Sequence, residues 1–259
     1  MIASLELPPA RPEWALFLDL DGSIIELTAT PDAVRVKPEL RRLLDSLRDA
    51  FDGALAVVSG RPLKQIDRIL ALPLLPAAGL HGLERRRADG TVVRPPQALD
   101  DAELAPIKRA LRDFARAHPG LMVEDKGVAV ALHFRQAPER REACRQAVAA
   151  AVDDMSPRLE VLEGKMLFEI RPSGVDKGDA IEVFLGESPF AGRIPVYCGD
   201  DATDEHGFAV VNRFGGVSIH VGDGTETLAR WRVGSVDELV AWLTTLPQAL
   251  TGRRAARRA

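Results

Sequence analysis

Apolar residues fall along this chain in two kinds of run. Trp14 to Asp19 and Gly53 to Val58 are almost unbroken apolar stretches, the pattern of strands buried on both faces of a parallel sheet. Each is followed by an amphipathic pattern: Leu40, Leu43, Leu44 and Leu47 behind Pro38, then Leu63, Ile66, Ile69 and Leu70 behind Pro62. That spacing predicts helices, with proline in the first turn. The rhythm returns late in the chain, with a helix from Lys177 to Leu185, strands over Ile194–Cys198 and Val217–Val221, and a closing helix over Val236–Leu246. Strand and helix in alternation predict an α/β fold with a parallel sheet.

The middle of the chain reads differently. Arg85 to Arg94 is a polar hairpin pattern turning at Asp89-Gly90. Helices are predicted over Asp101–His118 and Pro138–Asp153, and strands over Leu121–Glu124, Val128–Phe134 and Met166–Arg171. This block predicts a separate small α+β unit with an antiparallel sheet, inserted between two parts of the parallel one. The expected division is 1–103 with 174–259 as one domain and 104–173 as the insert. No internal repeat or low-complexity tract is present.

Composition narrows the function classes. The 259 residues hold 34 Lys+Arg against 38 Asp+Glu, with 46% hydrophobic and 28% charged residues. That balance excludes a long disordered chain. The net charge of -4 gives no overall field to draw nucleic acid or an anionic membrane. No apolar run is long enough to span a bilayer, and Met1 to Trp14 has no basic-then-apolar leader pattern. Cys144 and Cys198 stand far apart, in no metal or disulfide spacing. A monomer in a reducing cytoplasm is the expectation. Thr251 to Ala259 carries four arginines and reads as a frayed basic tail.

Asp19 and Asp21 close the first strand run. Strand periodicity puts both on one face, roughly 6–7 Å apart, at the sheet edge where open α/β folds bind ligands. Such a pair could hold a hard cation or divide the work of nucleophile and acid/base, or simply form a turn. Asp200, Asp201 and Asp204 follow a later strand; converging carboxylates repel unless a cation sits among them, whereas a solvated acidic turn needs none. Ser59 precedes a helix and is either a phosphate seat or a plain cap. Arg61 could bind phosphate or merely cap and pack, the second being the expectation, and His81, His133 and His220 read as packed or peripheral histidines. Lys177 beside so many carboxylates could neutralise a nucleophile and a phosphoryl oxygen, or be an ordinary surface lysine.

In order, Asp19-Leu20-Asp21-Gly22-Ser23, Ser59, Lys177 and Gly199-Asp200-Asp201-Ala202-Thr203-Asp204 resemble the four motifs of the haloacid dehalogenase (HAD) superfamily. Ser23 departs from the Thr or Val usual there. Val58-Ser59-Gly60-Arg61-Pro62, Gly79-Leu80-His81-Gly82, Lys126 to Arg135, Glu169-Ile170-Arg171-Pro172 and Gly199 to Glu205 extend the likeness to its trehalose-6-phosphate phosphatase family, from about Trp14 to Leu246.

This resemblance implies a Rossmann-like core with an inserted cap, and hydrolysis of trehalose 6-phosphate through an aspartyl-phosphate. Asp19 would be the nucleophile and Asp21 the acid/base. Mg2+ would be held by Asp19, the Asp21 backbone carbonyl and Asp200, with Asp204 behind them. Ser59 and Lys177 would hold the phosphoryl group, and Glu124, Lys126 and Glu169 of the cap the sugar, unless Lys126 and Glu169 form a structural pair. Another sugar phosphate, such as sucrose phosphate or mannosyl-3-phosphoglycerate, or a catalytically silent regulatory domain, would share many of these features.

Overall fold

The structure is a computed structural model that describes residues 7–27, 36–164, 166–224 and 226–256. The start of the Met1–Trp14 segment and residues 257–259 of the basic tail lie outside them. Its elements in chain order are β1 (Trp14–Leu18), α1 (Pro38–Ala50), β2 (Leu55–Val58), α2 (Leu63–Leu70), β3 (Ala77–Gly79), β4 (Glu84–Arg86), β5 (Val92–Val93), α3 (Asp101–Ala117), β6 (Met122–Asp125), β7 (Val130–His133), α4 (Arg141–Val152), β8 (Leu159–Gly164), β9 (Leu167–Pro172), α5 (Lys177–Leu185), β10 (Ile194–Gly199), α6 (Asp204–Arg213), β11 (Val217–Val221), β12 (Trp231–Val233) and α7 (Val236–Ala256).

The chain forms two compact units, Met1–Val93 with Asp176–Ala259, and Arg94–Val175. The first carries an eight-stranded sheet in the order β12-β11-β10-β1-β2-β3-β4-β5, parallel as far as β3 and antiparallel from β3 to β5. The strand at its centre, β1, is buried along its whole length, as its unbroken apolar run requires. Phe17 stacks on Phe190 at 5.4 Å and meets Phe184 at 6.0 Å, tying β1 to the layer that holds α5. α1 packs against α7, and α5 against α6.

The second unit is a four-stranded antiparallel sheet, β6-β7-β9-β8. One face, with Val130, Leu132, Phe168 and Ile170, packs on Leu104, Ile107 and Leu111 of α3 and Cys144 and Val148 of α4. Because those α3 residues belong to this core, the unit holds the whole helix and begins before residue 104. α3 opens with a capping box between Asp100 and Glu103, which satisfies two of the free N–H groups at the helix start.

The apolar pattern gives no element for β3, β8, β12 or α6. β3 is only Ala-Ala-Gly and β12 three residues, too short for a periodicity to register, and α6 begins inside the acidic cluster that reads as a turn. α7 reaches Ala256, so the first part of the basic tail continues a helix anchored by buried Leu250. Truncating Phe17 to alanine should lower unfolding free energy by about 3–5 kcal/mol in urea denaturation, because a fully buried ring leaves a cavity beside Phe184 and Phe190.

Candidate active site

Strand order in the first sheet reverses at β1, whose neighbours are β10 and β2. A parallel sheet opens a crevice at such a point, outside the carboxyl ends of its strands. Asp19 directly follows β1, Ser59 directly follows β2, and Asp200 directly follows β10. Lys177 is the first residue of α5, behind a second capping box made by Asp176 and Asp179.

Three of these side chains, Asp19, Asp200 and Lys177, are joined with Ser23 and Asp204 in one cluster. Lys177 Nζ, in a residue only 3% exposed, donates to Asp19 Oδ1 at 2.8 Å and to Asp204 Oδ1 at 2.6 Å. Ser23 Oγ donates to Asp19 Oδ2 at 3.0 Å and lies 3.4 Å from Asp200 Oδ1. Asp204, wholly buried, also accepts from the Tyr197 hydroxyl, and its Oδ2 accepts the backbone N–H of Asp200 at 2.9 Å and of Asp201 at 3.0 Å. Both Asp204 oxygens are therefore occupied, Oδ1 by Lys177 and Tyr197 and Oδ2 by the loop that presents Asp200. Asp201 turns aside, accepting from the Thr203 backbone and hydroxyl. Gly22 permits the close approach: a side chain there would strike the Asp200 carboxylate.

Asp19, Asp200 and Asp204 each bring an oxygen within 4.8 Å of the others. Such an all-oxygen set suits a hard divalent cation. Burial raises Asp19 well above the usual carboxylate range; Lys177 opposes the rise, and the charges of Asp204 and Asp200 add to it. Burial, with Asp204 and Asp201 nearby, pushes Asp200 up to about 7. Burial works against the Lys177 ammonium, but Asp19, Asp204 and Asp201 outweigh it and hold its pKa above the ordinary lysine value. The site is thus short of positive charge, the condition a cation would relieve.

Asp21 has a different partner. The strand ends at Leu18, so period-2 geometry does not carry through to residue 21. Its carboxylate instead receives Arg61 Nε at 2.5 Å and Nη2 at 2.6 Å. This corrects the reading of Arg61 as merely a capping and packing residue. The buried Ser59 hydroxyl accepts from the Arg61 backbone N–H at 3.2 Å. What escapes sequence reading is the partner of each: Asp21 stands forty residues from Arg61, and Asp204 seven residues past Tyr197, beyond the end of its strand.

The remaining candidates lie in the second unit. Glu124, Ala131, Glu169 and Leu162 form one row across its sheet, on the face opposite the helices. Lys126 Nζ pairs with Glu169 Oε2, and His133 Nε2 lies 3.0 Å from Glu124 Oε2. Glu169 Oε1 and, two residues along the same strand, Arg171 Nη1 are buried without a hydrogen-bond partner among the described residues. Beneath the β6–β7 turn, Lys108 is 2% exposed and donates to the Gly127 carbonyl at 2.7 Å, with Asp125 at 2.6 Å and Asp101 also paired to it. Its ammonium pins the turn that carries Lys126.

This fold is shared with HAD phosphatases: a member of that superfamily from Bacteroides thetaiotaomicron is similar with a TM-score of 0.59 at 19% identity, covering 94% of this chain and 98% of its own. The family model described as Trehalose-phosphatase matches residues 17–236. A relative named trehalose-6-phosphate phosphatase, from Escherichia coli (strain K12), is 41% identical over 251 residues, 96% of this chain and 92% of the relative. A solved structure described as a trehalose-6-phosphate phosphatase related protein is similar with a TM-score of 0.78 at 28% identity, covering 92% of this chain and 99% of its own. The chain belongs to the trehalose-phosphatase family.

The raised Asp200 carboxyl has a measurable consequence in chelator-treated protein. Between about pH 4, where an unfolded aspartate ionises, and about 7, the folded state holds a proton that the unfolded chain has lost. Stability contributed by this group is therefore full below that window and falls as pH rises through it. Calorimetric Tm of the metal-free protein should be higher near the bottom of the window than above it, and the difference should shrink in Asp200→Asn.

Proposed function

We propose that this chain hydrolyses trehalose 6-phosphate to trehalose and inorganic phosphate, with Mg2+, by way of a phosphoryl group carried on Asp19. The observation that supports this most directly is the buried Lys177 ammonium set between Asp19 and Asp204 at the switch point of the sheet, in a chain of the trehalose-phosphatase family. An anionic nucleophile must approach an anionic phosphate, and fixed positive charge is what lowers that barrier.

In the first half, a carboxylate oxygen of Asp19 attacks phosphorus. A P–O bond to Asp19 forms, the P–O bond to the sugar breaks, and the Asp21 proton passes to the departing sugar oxygen. In the second half, water attacks phosphorus, its proton passes to Asp21, and the Asp19 carboxylate leaves. Asp21 is ion-paired to Arg61, and that pair must open for its carboxyl to reach the sugar oxygen. Ser59 and Lys177 hold the phosphoryl oxygens. Asp19, Asp200 and the Asp21 backbone carbonyl would hold Mg2+, which when bound supplies charge stabilisation to the phosphoryl group. Asp204, its oxygens already taken, keeps Asp200 and Lys177 in place.

Glu124, Lys126 and Glu169 are the proposed sugar contacts. The unpartnered Glu169 Oε1 and Arg171 Nη1 offer one acceptor and one donor, which is what a hydroxyl-rich ligand can match. The same reading takes the chain as a monomer of the cytoplasm, where its two free, buried cysteines stay reduced. Among the described residues no helix is long and apolar enough to cross a membrane.

Asp19→Asn should cut turnover by about three orders of magnitude or more while leaving the circular dichroism spectrum unchanged; near-normal phosphate release would refute the nucleophile. Chelation should stop turnover and Mg2+ restore it, with Ca2+ restoring it poorly because of its looser coordination. Full activity after exhaustive chelation removes the cation from the reading.

Trehalose 6-phosphate should be preferred over glucose 6-phosphate and sucrose 6-phosphate in a phosphate-release panel. Alanine at Glu124, Lys126 or Glu169 should lower kcat/KM for trehalose 6-phosphate at least about tenfold more than for a small aryl phosphate. Equal losses on both substrates would make these residues structural.

A further inference from the structure

The segment Gly79-Leu80-His81-Gly82 has no part in the chemistry above, yet its backbone is among the least ordinary in the molecule. Leu80, His81 and Gly82 have φ of +51°, +57° and +112°. Consecutive left-handed residues that are not glycine are rare for L side chains. They persist where the surroundings impose them, and they gather at functional sites.

Here the surroundings are the loop that leads from β2 into α2. His81 N donates to the Ser59 carbonyl at 3.0 Å and Leu80 N to the Arg61 carbonyl at 3.0 Å. Leu63 N donates to Glu84 Oε1 at 2.6 Å. Two glycines let the segments touch. A Cβ on Gly79 would lie 2.8 Å from Arg61 O and from Leu63 N, and a Cβ on Gly60 would lie 2.6 Å from His81 Nε2. The imidazole therefore fills the space of a side chain at position 60, between Ser59 and Arg61. Glycine at position 81 would make the same turn without strain. What histidine adds there is the ring.

We infer that His81 is a positioning residue for phosphoryl binding: its ring, wedged on Gly60, holds the Ser59–Arg61 loop so that the Ser59 hydroxyl meets an incoming phosphoryl group in fixed geometry. This rests on the reading of Ser59 as a phosphoryl seat. The contact is shared by every phosphate ester, so loss of the ring should lower kcat/KM for trehalose 6-phosphate and for a small aryl phosphate by the same factor.

The test is calorimetric titration of the full chain, with Mg2+ present, using orthovanadate as a phosphate analogue, alongside calorimetric Tm. His81→Gly should leave Tm at or above wild type, since glycine takes the left-handed backbone freely, while vanadate binding weakens at least about tenfold. His81→Asn, which tolerates the same backbone without the ring, should weaken it likewise. The double variant Gly60→Ala/His81→Gly places a methyl in the vacated space and should bind vanadate more tightly than His81→Gly alone. Wild-type affinity in both single variants overturns the inference. A fall in Tm in both, with no recovery in the double variant, overturns it too, assigning the ring to structure. Failure of the wild-type protein to bind vanadate at all instead refutes the phosphoryl seat, and this inference with it.

Discussion

Lys177 Nζ lies in the protein interior with a carboxylate on either side, Asp19 and Asp204. Removing such charges from water is costly unless each is paired and hydrogen-bonded, and much of the first unit is arranged to meet that condition. The capping box at Asp176 starts α5 so that its first side chain points at the sheet edge. Tyr197, one residue before Cys198 on β10, supplies a hydroxyl to Asp204, and two backbone N–H groups complete its acceptors. With Asp204 so anchored, the chain after β10 is held in the loop that brings Asp200 to within 3.4 Å of Ser23. One ammonium does not balance these carboxylates, and the remainder sets what the site can receive: a cation, and with it an anionic ester.

The parts of this arrangement that the sequence discloses are those written in local runs. An unbroken apolar run ending in aspartate tells both that β1 is buried and that Asp19 stands at its edge, and the same reasoning holds for β10 and Asp200. Lys177 is legible because a helix pattern starts at it. Periodicity does not fix Asp21, because β1 stops before the motif does. Arg61 is undervalued because its partner is forty residues away, and no spacing rule reaches that far. Tyr197 looks like one more apolar strand residue until the fold sets its hydroxyl against Asp204.

In the second unit the difficulty is of another kind. Glu124, Glu169 and their neighbours alternate with core residues along short strands, so their common face is visible in the sequence, but their pairing across strands is not. Lys108 shows the limit well. It lies on α3 between the core residues Leu104 and Leu111, where helical spacing gives no sign of an ammonium's partners. The structure instead makes its ammonium the tie for the β6–β7 turn, through Asp125 and the Gly127 carbonyl. A buried ion pair of this sort adds little net stability compared with an apolar side chain; what it gives is a fixed conformation of the turn.

The pairing of β1 with β10 also bears on how the protein comes into being. Asp19 N donates to the Cys198 carbonyl, across the whole inserted unit. At roughly 5–20 residues added per second on the ribosome, the central strand waits on the order of ten to forty seconds for its partner. Through that interval the apolar stretch Trp14 to Leu18 has β2 on one edge and an open ladder of N–H and C=O groups on the other, the kind of edge that recruits foreign strands. The insert is a run of mostly near-neighbour pairings, β6 with β7 and β8 with β9, and such local contacts form fast. The nascent chain therefore completes its middle before its two ends can meet, and a delay in translation between residues 94 and 193 would lengthen the exposure of the strand that bears Asp19.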